Sequence, residues 1–295
     1  MSALPKLAFA GTGLMGQPMS RRLLAAGYLL RVWNRSPDKT EALAAAGAIV
    51  VDGPAALCAD GDVVMLCLSD TAAVRDVVFG AGGIVEGARP GQLLVDFSSL
   101  DPAETRQMAA ELASRTGMRW VDAPVSGGTL GAEAGSLTIM AGGEAADIER
   151  LRPILAHLGQ RLTHMGDVGA GQVTKVCNQM IVACNALVIA EVVALAERSG
   201  VDAALLAPAL AGGFADSKPL QILAPQMAER RFEPIRWHVR TLLKDLDAAV
   251  KLSREQGSAT PMSGLGAQLM RLHGGHGYLG RDLATLIEHY RELEA

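Results

Sequence analysis

The run Asp122-Ala123-Pro124-Val125-Ser126-Gly127-Gly128 places a hydroxyl beside two successive glycine amides, directly after the apolar pair Trp120-Val121. Two glycines let a ligand approach the backbone closely. Their N–H groups can converge on an anion while Ser126 adds a rotatable donor, so the segment is a candidate carboxylate clamp. Taken alone, Ser and Gly in this order also suit an ordinary turn. A second candidate follows in Gly169-Ala170-Gly171-Gln172-Val173-Thr174-Lys175-Val176-Cys177-Asn178-Gln179, which opens a long apolar stretch. Burial there would disfavour the charged form of Lys175 and lower its pKa toward the range useful to a general acid/base. Asn178 and Gln179, at i+3 and i+4, fall on the same helix face as Lys175 and could meet a polar ligand. From this segment two readings stand equally, the acid/base lysine and a lysine that reaches solvent or pairs with Asp167 or Glu191. Lys244-Asp245, within Leu242–Leu246, could close over the same ligand, although sequence chemistry alone favours a surface salt-bridge network for this pair.

The chemistry these groups could serve is suggested by Gly11-Thr12-Gly13-Leu14-Met15-Gly16, which follows the apolar run Leu7–Ala10 and precedes a helical pattern. That context is the dinucleotide fingerprint. Gly11 permits a tight turn, Gly13 lets the backbone approach a pyrophosphate, and Gly16 permits close helix–strand packing. At the end of the next strand the chain reads Trp33-Asn34-Arg35-Ser36. An acid there would bond ribose hydroxyls, whereas Arg35 with Ser36 can hold a 2′-phosphate, so NADP is favoured over NAD. Leu68 and Ser99, next to Cys67, Ser69 and Ser98 at later strand ends, are expected to line the path of the adenosine and nicotinamide.

Positioning such groups requires alternating strands and helices. Leu7–Ala10, Leu29–Trp33, Val63–Leu68, Leu93–Asp96 and Trp120–Val121 read as strands of a doubly wound, mainly parallel sheet, extended by Leu137–Met140, a helix over Glu144–Leu158, and Arg161–His164. The expected fold class is an α/β Rossmann domain over residues 1–165 followed by an all-α C-terminal domain over 166–295. The second begins with a long, largely buried helix over Gly171–Arg198, then helices over Asp202–Ala211, Pro219–Glu229, Val239–Gln256, Pro261–His273 and Asp282–Glu294. Such an apolar helix also predicts a homo-oligomer, a homodimer or homotetramer. The 295 residues are 49% hydrophobic with a net charge of −4, which points away from disorder and from a nucleic-acid partner. The four cysteines, Cys58, Cys67, Cys177 and Cys184, lack metal-type or paired spacing and read as small core residues of a reduced protein. No signal peptide and no uninterrupted membrane-spanning run is apparent, so a soluble cytoplasmic protein without a membrane partner is expected. The six histidines show no triad or metal spacing, and no metal site is expected.

Taken together, Gly11–Leu24, Asp122–Gly128, Gly169–Gln179 and Lys244-Asp245 resemble the four signatures of the β-hydroxyacid dehydrogenase family, over nearly the whole chain. The resemblance implies a small carboxylate substrate, an active site in the cleft between a Rossmann domain and an all-α domain, and Lys175 as the catalytic lysine. It further implies that Ser126, Gly127 and Gly128 bind the substrate carboxylate, that Asn178 and Gln179 orient substrate and lysine, and that Lys244 closes on cofactor and substrate. Gln179 resembles the tartronate semialdehyde (2-hydroxy-3-oxopropionate) reductases of the family, where many relatives carry asparagine. This favours reduction at C3 of that acid over a 3-hydroxyisobutyrate or serine dehydrogenase. The glutamate that assists decarboxylation in 6-phosphogluconate dehydrogenases is matched here by Val182, which argues against decarboxylation. A noncatalytic NADP-binding scaffold is the reading from another class.

Overall fold

In a computed structural model that describes residues 4–290, the chain divides into two compact units, Met1–Lys175 and Val176–Ala295. The first is built on a nine-stranded sheet of β1 (Leu7–Ala10), β2 (Leu30–Trp33), β3 (Ile49–Val50), β4 (Val63–Leu66), β5 (Leu93–Asp96), β6 (Arg119–Asp122), β7 (Val125–Ser126), β8 (Leu137–Gly142) and β9 (Gly159–Gly166). Its order is β3-β2-β1-β4-β5-β6-β8-β7, with β9 paired to β8. The strands from β3 to β6 are parallel, the doubly wound arrangement expected. β8 runs antiparallel to β6 and β7, and parallel to β9.

Central strands buried on both faces explain the unbroken apolar runs. Leu7, Phe9, Val63, Met65, Leu93, Val95 and Val121 feed one core, and the alternate residues Ala8, Ala10, Val64, Leu66, Leu94 and Trp120 feed the other. The helices of this unit are α1 (Gly16–Ala25), α2 (Glu41–Ala44), α3 (Thr71–Phe79), α4 (Ile84–Gly87), α5 (Pro102–Thr116), α6 (Gly128–Ala134) and α7 (Ala145–Leu155). Side-chain carboxylates cap the starts of α3 and α5. Asp70 accepts from Ala73 N, and Asp101 accepts from Ala103 N and Glu104 N.

α8 (Ala170–Arg198) has 29 residues and begins one residue before the expected Gly171. Its Ala-rich, proline-free sequence favours continuous helix. Ala183, Ala186, Ala190 and Val193, spaced by three and four, are fully buried in the core of the second unit. Ile181, Val188 and Leu195 are exposed, so the helix is buried on one side rather than largely buried. By length and composition alone it is apolar enough to cross a membrane, although polar residues interrupt it and half of its most apolar window is buried within the protein. Cys177 is also exposed and is not a core residue, whereas Cys58 is buried.

The second unit continues with α9 (Leu206–Leu210), α10 (Lys218–Ala228), α11 (Val239–Glu255) and α12 (Pro261–His273). The single helix expected over Asp202–Ala211 is a 3₁₀ turn, Ala203–Leu205, followed by α9, because Asp202 caps the Ala204 amide and tightens the first turn. The expected helix over Asp282–Glu294 is 3₁₀ over Leu283–Tyr290 where described, and residues 291–295 lie outside the described range. Asp282 shapes its start, accepting from Arg236 N and Trp237 N through one oxygen and from Ala284 N through the other.

Candidate active site and dinucleotide loop

The three glycines of the loop after β1 have different surroundings. Gly11 has φ +91°, and a Cβ there would overlap the Cys67 carbonyl; a Cβ on Gly16 would overlap the Gly11 carbonyl and lie 2.9 Å from the Phe9 ring. A Cβ on Gly13 would meet nothing within 4 Å, so open space faces the residue expected to approach the pyrophosphate. These residues fit a dinucleotide, with the N-terminus of α1 behind the loop. Thr12 is not an open donor of this cradle. Its amide donates to Asn34 Oδ1 at 3.0 Å and its hydroxyl to the Lys39 carbonyl at 3.1 Å. Asn34 also donates to the Ser36 carbonyl at 2.9 Å, so it braces the loop. Leu14 is exposed, Met15 precedes α1, and Arg35 is exposed at the end of β2 with its cation open to an anionic ligand.

Two buried carboxylates end adjacent strands. Asp96 and Asp122 are register partners at the C-terminal ends of β5 and β6, both inaccessible to solvent. Asp122 accepts from Gly169 N at 2.6 Å and from Gln172 N at 2.8 Å, so a residue 50 positions away caps the N-terminus of α8. Glycines make this approach possible. A Cβ on Gly142 would lie 2.6 Å from Asp122 Oδ1, and one on Gly171 would lie 2.8 Å from its Oδ2. Burial raises the Asp122 pKa, while the Gly169 and Gln172 amides and the Arg106 guanidinium hold it down in part. Asp96 is pushed up to about 7 by burial, opposed by hydrogen bonds from Ser98 and reinforced by the Asp122 charge. Its Oδ1 accepts from Ser98 N at 2.9 Å, while Oδ2 is buried without a hydrogen-bond partner among the described residues. The Cys67 thiol nearby is pushed up to about 12 by burial and by Asp96, which keeps it neutral.

One turn into α8, Lys175 is half-buried, and its Nζ donates to the Val125 carbonyl at 3.0 Å. The lysine thus lies against β7, and is less deeply buried than its apolar neighbours suggest. Ser126 is half-buried, and Gly127 and Gly128 are exposed. Their φ values of +135° and +62°, which favour glycine, turn the chain from β7 into α6. Ser98 is withdrawn from the cofactor path, since its hydroxyl accepts from Leu68 N at 2.9 Å; Ser99 is the more accessible of the pair.

Within the second unit Asn178 Nδ2 donates to Gln179 Oε1 at 2.8 Å, and Gln179 Nε2 donates to Asp245 Oδ2 at 2.5 Å. Gln179 is buried, with one hydrogen bond at each end of its amide that ties Asn178 to Asp245. Lys244 Nζ lies 3.6 Å from Asp245 Oδ1 and its side chain is half-exposed. The sequence reading assigned no role to Asp96, Asp122 or Gln172. A polar residue closing an otherwise apolar strand was the available signal for the two aspartates.

Residues 6–166 match the family described as the NAD binding domain of 6-phosphogluconate dehydrogenase, and residues 169–290 match that described as NAD-binding of NADP-dependent 3-hydroxyisobutyrate dehydrogenase. The chain belongs to the β-hydroxyacid dehydrogenase family. Members of this family are NAD(P)-dependent oxidoreductases that act on small hydroxyacids, and the chain is such an enzyme. It is 34% identical to the 2-hydroxy-3-oxopropionate reductase of Escherichia coli over 283 residues, 96% of each chain. It is 34% identical to an NAD-dependent L-serine dehydrogenase of Pseudomonas aeruginosa, covering 96% of this chain and 97% of that one. The 3-hydroxyisobutyrate dehydrogenase of Mycobacterium tuberculosis with L-serine superposes with a TM-score of 0.88 at 30% identity, covering 98% of this chain and 100% of that one.

The buried Asp96 gives this dehydrogenase a pH signature. An acid whose folded-state pKa lies above its unfolded value destabilises the fold progressively as pH rises between the two, here from about 4 to about 7, and by a constant amount above that. Asp96→Asn should therefore gain stability relative to wild type as pH rises across this window, by up to about 4 kcal/mol in total. Urea unfolding of both proteins at about pH 4.5, 6 and 7.5 measures the difference, and parallel pH profiles would contradict the assignment.

Proposed function

We propose that this enzyme is an NADP-preferring 2-hydroxy-3-oxopropionate (tartronate semialdehyde) reductase that uses Lys175 as general acid/base. The observation that carries the reading is the 3.0 Å hydrogen bond from Lys175 Nζ to the Val125 carbonyl, one residue before Ser126 and two before Gly127. Ser126 and the Gly127 and Gly128 amides would hold the substrate carboxylate, setting C3 and its oxygen beside the lysine. In reduction the Lys175 ammonium gives its proton to the C3 oxygen, and in oxidation the neutral amine takes the hydroxyl proton as C3 is oxidised. The nicotinamide, when bound, supplies or accepts the hydride. Asn178, held by Gln179, would donate to the same substrate, and Lys244 would add a cation toward cofactor and substrate. Gly11, Gly13, Leu14, Met15 and Gly16 would carry the pyrophosphate, and Asn34, Arg35 and Ser36 the adenosine ribose with its 2′-phosphate.

Gln179 and the 96% coverage by the Escherichia coli reductase support the substrate assignment. A serine or 3-hydroxyisobutyrate dehydrogenase is the second reading, supported by the Pseudomonas aeruginosa enzyme and the Mycobacterium tuberculosis structure with L-serine. Ile181, Val188 and Leu195, exposed at seven-residue spacing along α8, support a homodimer or homotetramer.

Initial rates on 2-hydroxy-3-oxopropionate, L-serine and 3-hydroxyisobutyrate, each with NADP(H) and NAD(H), test the reading, with the first acid and NADPH expected to give the highest kcat/KM. Absence of turnover on all three would place the substrate outside these acids and contradict the reading. Lys175→Met should lower kcat by about 10²–10⁴ while leaving cofactor binding nearly unchanged; near-normal turnover would remove Lys175 from proton transfer. Arg35→Asp should weaken NADPH binding at least tenfold more than NADH binding, as a ratio of dissociation constants, because it sets a negative charge against the 2′-phosphate. Equal losses would contradict the phosphate assignment.

A further inference from the structure

Gln172 is buried at the start of α8, one turn before Lys175, and every polar group it offers in this region is engaged. Its side-chain Oε1 accepts from Leu100 N at 3.0 Å, and its Nε2 donates to the Ser98 carbonyl at 2.8 Å. Its backbone amide donates to Asp122. Both side-chain partners are backbone groups of fixed polarity, so only one orientation of the amide satisfies them. The segment it grips follows β5 and is itself tied onward, Ser98 N to Asp96 Oδ1 and Ser98 Oγ to Leu68 N. One buried amide therefore joins the loops after β4 and β5 to the helix turn that carries Lys175. A helix start needs caps, but Asp122 already supplies one from β6, and the primary amide adds a link to the neighbouring strand end.

We propose that Gln172 is a positioning residue for the reaction, fixing Lys175 relative to the Ser98–Leu100 segment so that proton transfer at C3 occurs in register with the nicotinamide side of the site. This inference rests on the reading of Lys175 as general acid/base. Displacement of a reacting group by about 1 Å can cost about 10²-fold in rate, so a loosened link acts on kcat more than on KM.

The test uses the full-length enzyme with 2-hydroxy-3-oxopropionate and NADPH, or L-serine and NADP if that acid is the better substrate. Gln172→Leu removes both side-chain bonds and should lower kcat about 10- to 100-fold, with KM for the acid changed less than about threefold. Gln172→Glu is close in shape and supplies a second readout. Its neutral carboxyl can accept from Leu100 N and donate to the Ser98 carbonyl, whereas the ionised form loses the donor and faces that carbonyl. The ratio of its kcat to that of wild type should therefore rise about tenfold as pH falls from about 8 to about 6. Asp122, bonded to the Gln172 backbone amide, Asp96 beside it in register, Arg106 and Cys67 that interact with these two carboxyls, and Lys175 one turn further along α8 are present in both proteins whose ratio is taken.

Wild-type kcat in Gln172→Leu, a loss confined to melting temperature, a pH-independent ratio in Gln172→Glu, or insolubility of both variants would each overturn the inference. Lys175→Met is run alongside. If it retains turnover, the acid/base reading fails and the inference with it. If it is inactive while the Gln172 variants keep full kcat, the inference alone fails.

Discussion

A carboxylate taken wholly out of water, Asp122, receives two amides at the start of α8, from Gly169 just before it and from Gln172 in its first turn. The helix brings no capping side chain of its own to these donors, and leaving one such buried group unsatisfied costs about 1–3 kcal/mol. The interaction fixes where the helix begins and how it is rotated about its axis. Lys175 follows from that setting, because one turn of helix separates it from Gln172 and carries its amine to the Val125 carbonyl. The glycines at 142 and 171 are part of the same constraint, since side chains there would occupy the space through which Asp122 and the helix meet.

The electrostatic arrangement is tuned by burial more than by ion pairing. Asp96 and Asp122 stand side by side in register, the Asp122 charge adding to the cost of charge on Asp96, and only Asp122 has two amide donors in compensation. The strand ends consequently hold one buried carboxylate compensated by two amides at the helix start, next to a carboxyl whose pKa burial pushes up to about 7. In the second unit the order is different. Asp245 is bonded through the Gln179 amide and is 3.6 Å from a half-exposed Lys244, so a chain of polar contacts leads from α11 to Asn178 on α8.

The fold and the ligand loop were legible where local pattern determines structure. Strands such as Leu7–Ala10 and Val63–Leu66 are buried on both faces and must read as apolar runs, and Gly11 and Gly16 sit where any Cβ would overlap a carbonyl. β3 and β7 escaped detection because two residues, exposed or half-buried, carry no periodicity. The antiparallel placement of β8 depends on pairing across the sheet and not on its own sequence. Thr12 was assigned to the cofactor because its place in the loop suggests an open donor, yet Asn34, 22 residues on, receives that amide. Gln172 was passed over for a similar reason: a polar residue in a first helical turn ordinarily faces water, and only the tertiary fold shows it gripping Ser98 and Leu100. Contacts between distant segments, not residue type, separate the groups that face a ligand from those that position them.

Chemical rescue of Lys175→Ala by small alkylamines tests the central claim most directly, that an amine held beside the Val125–Gly128 segment carries the proton. The account predicts that added amines restore turnover with 2-hydroxy-3-oxopropionate and NADPH in a saturable manner, with a rate that follows amine pKa once size is allowed for. An alanine variant that is active without amine, or one that binds cofactor yet responds to no amine of any size, would contradict it.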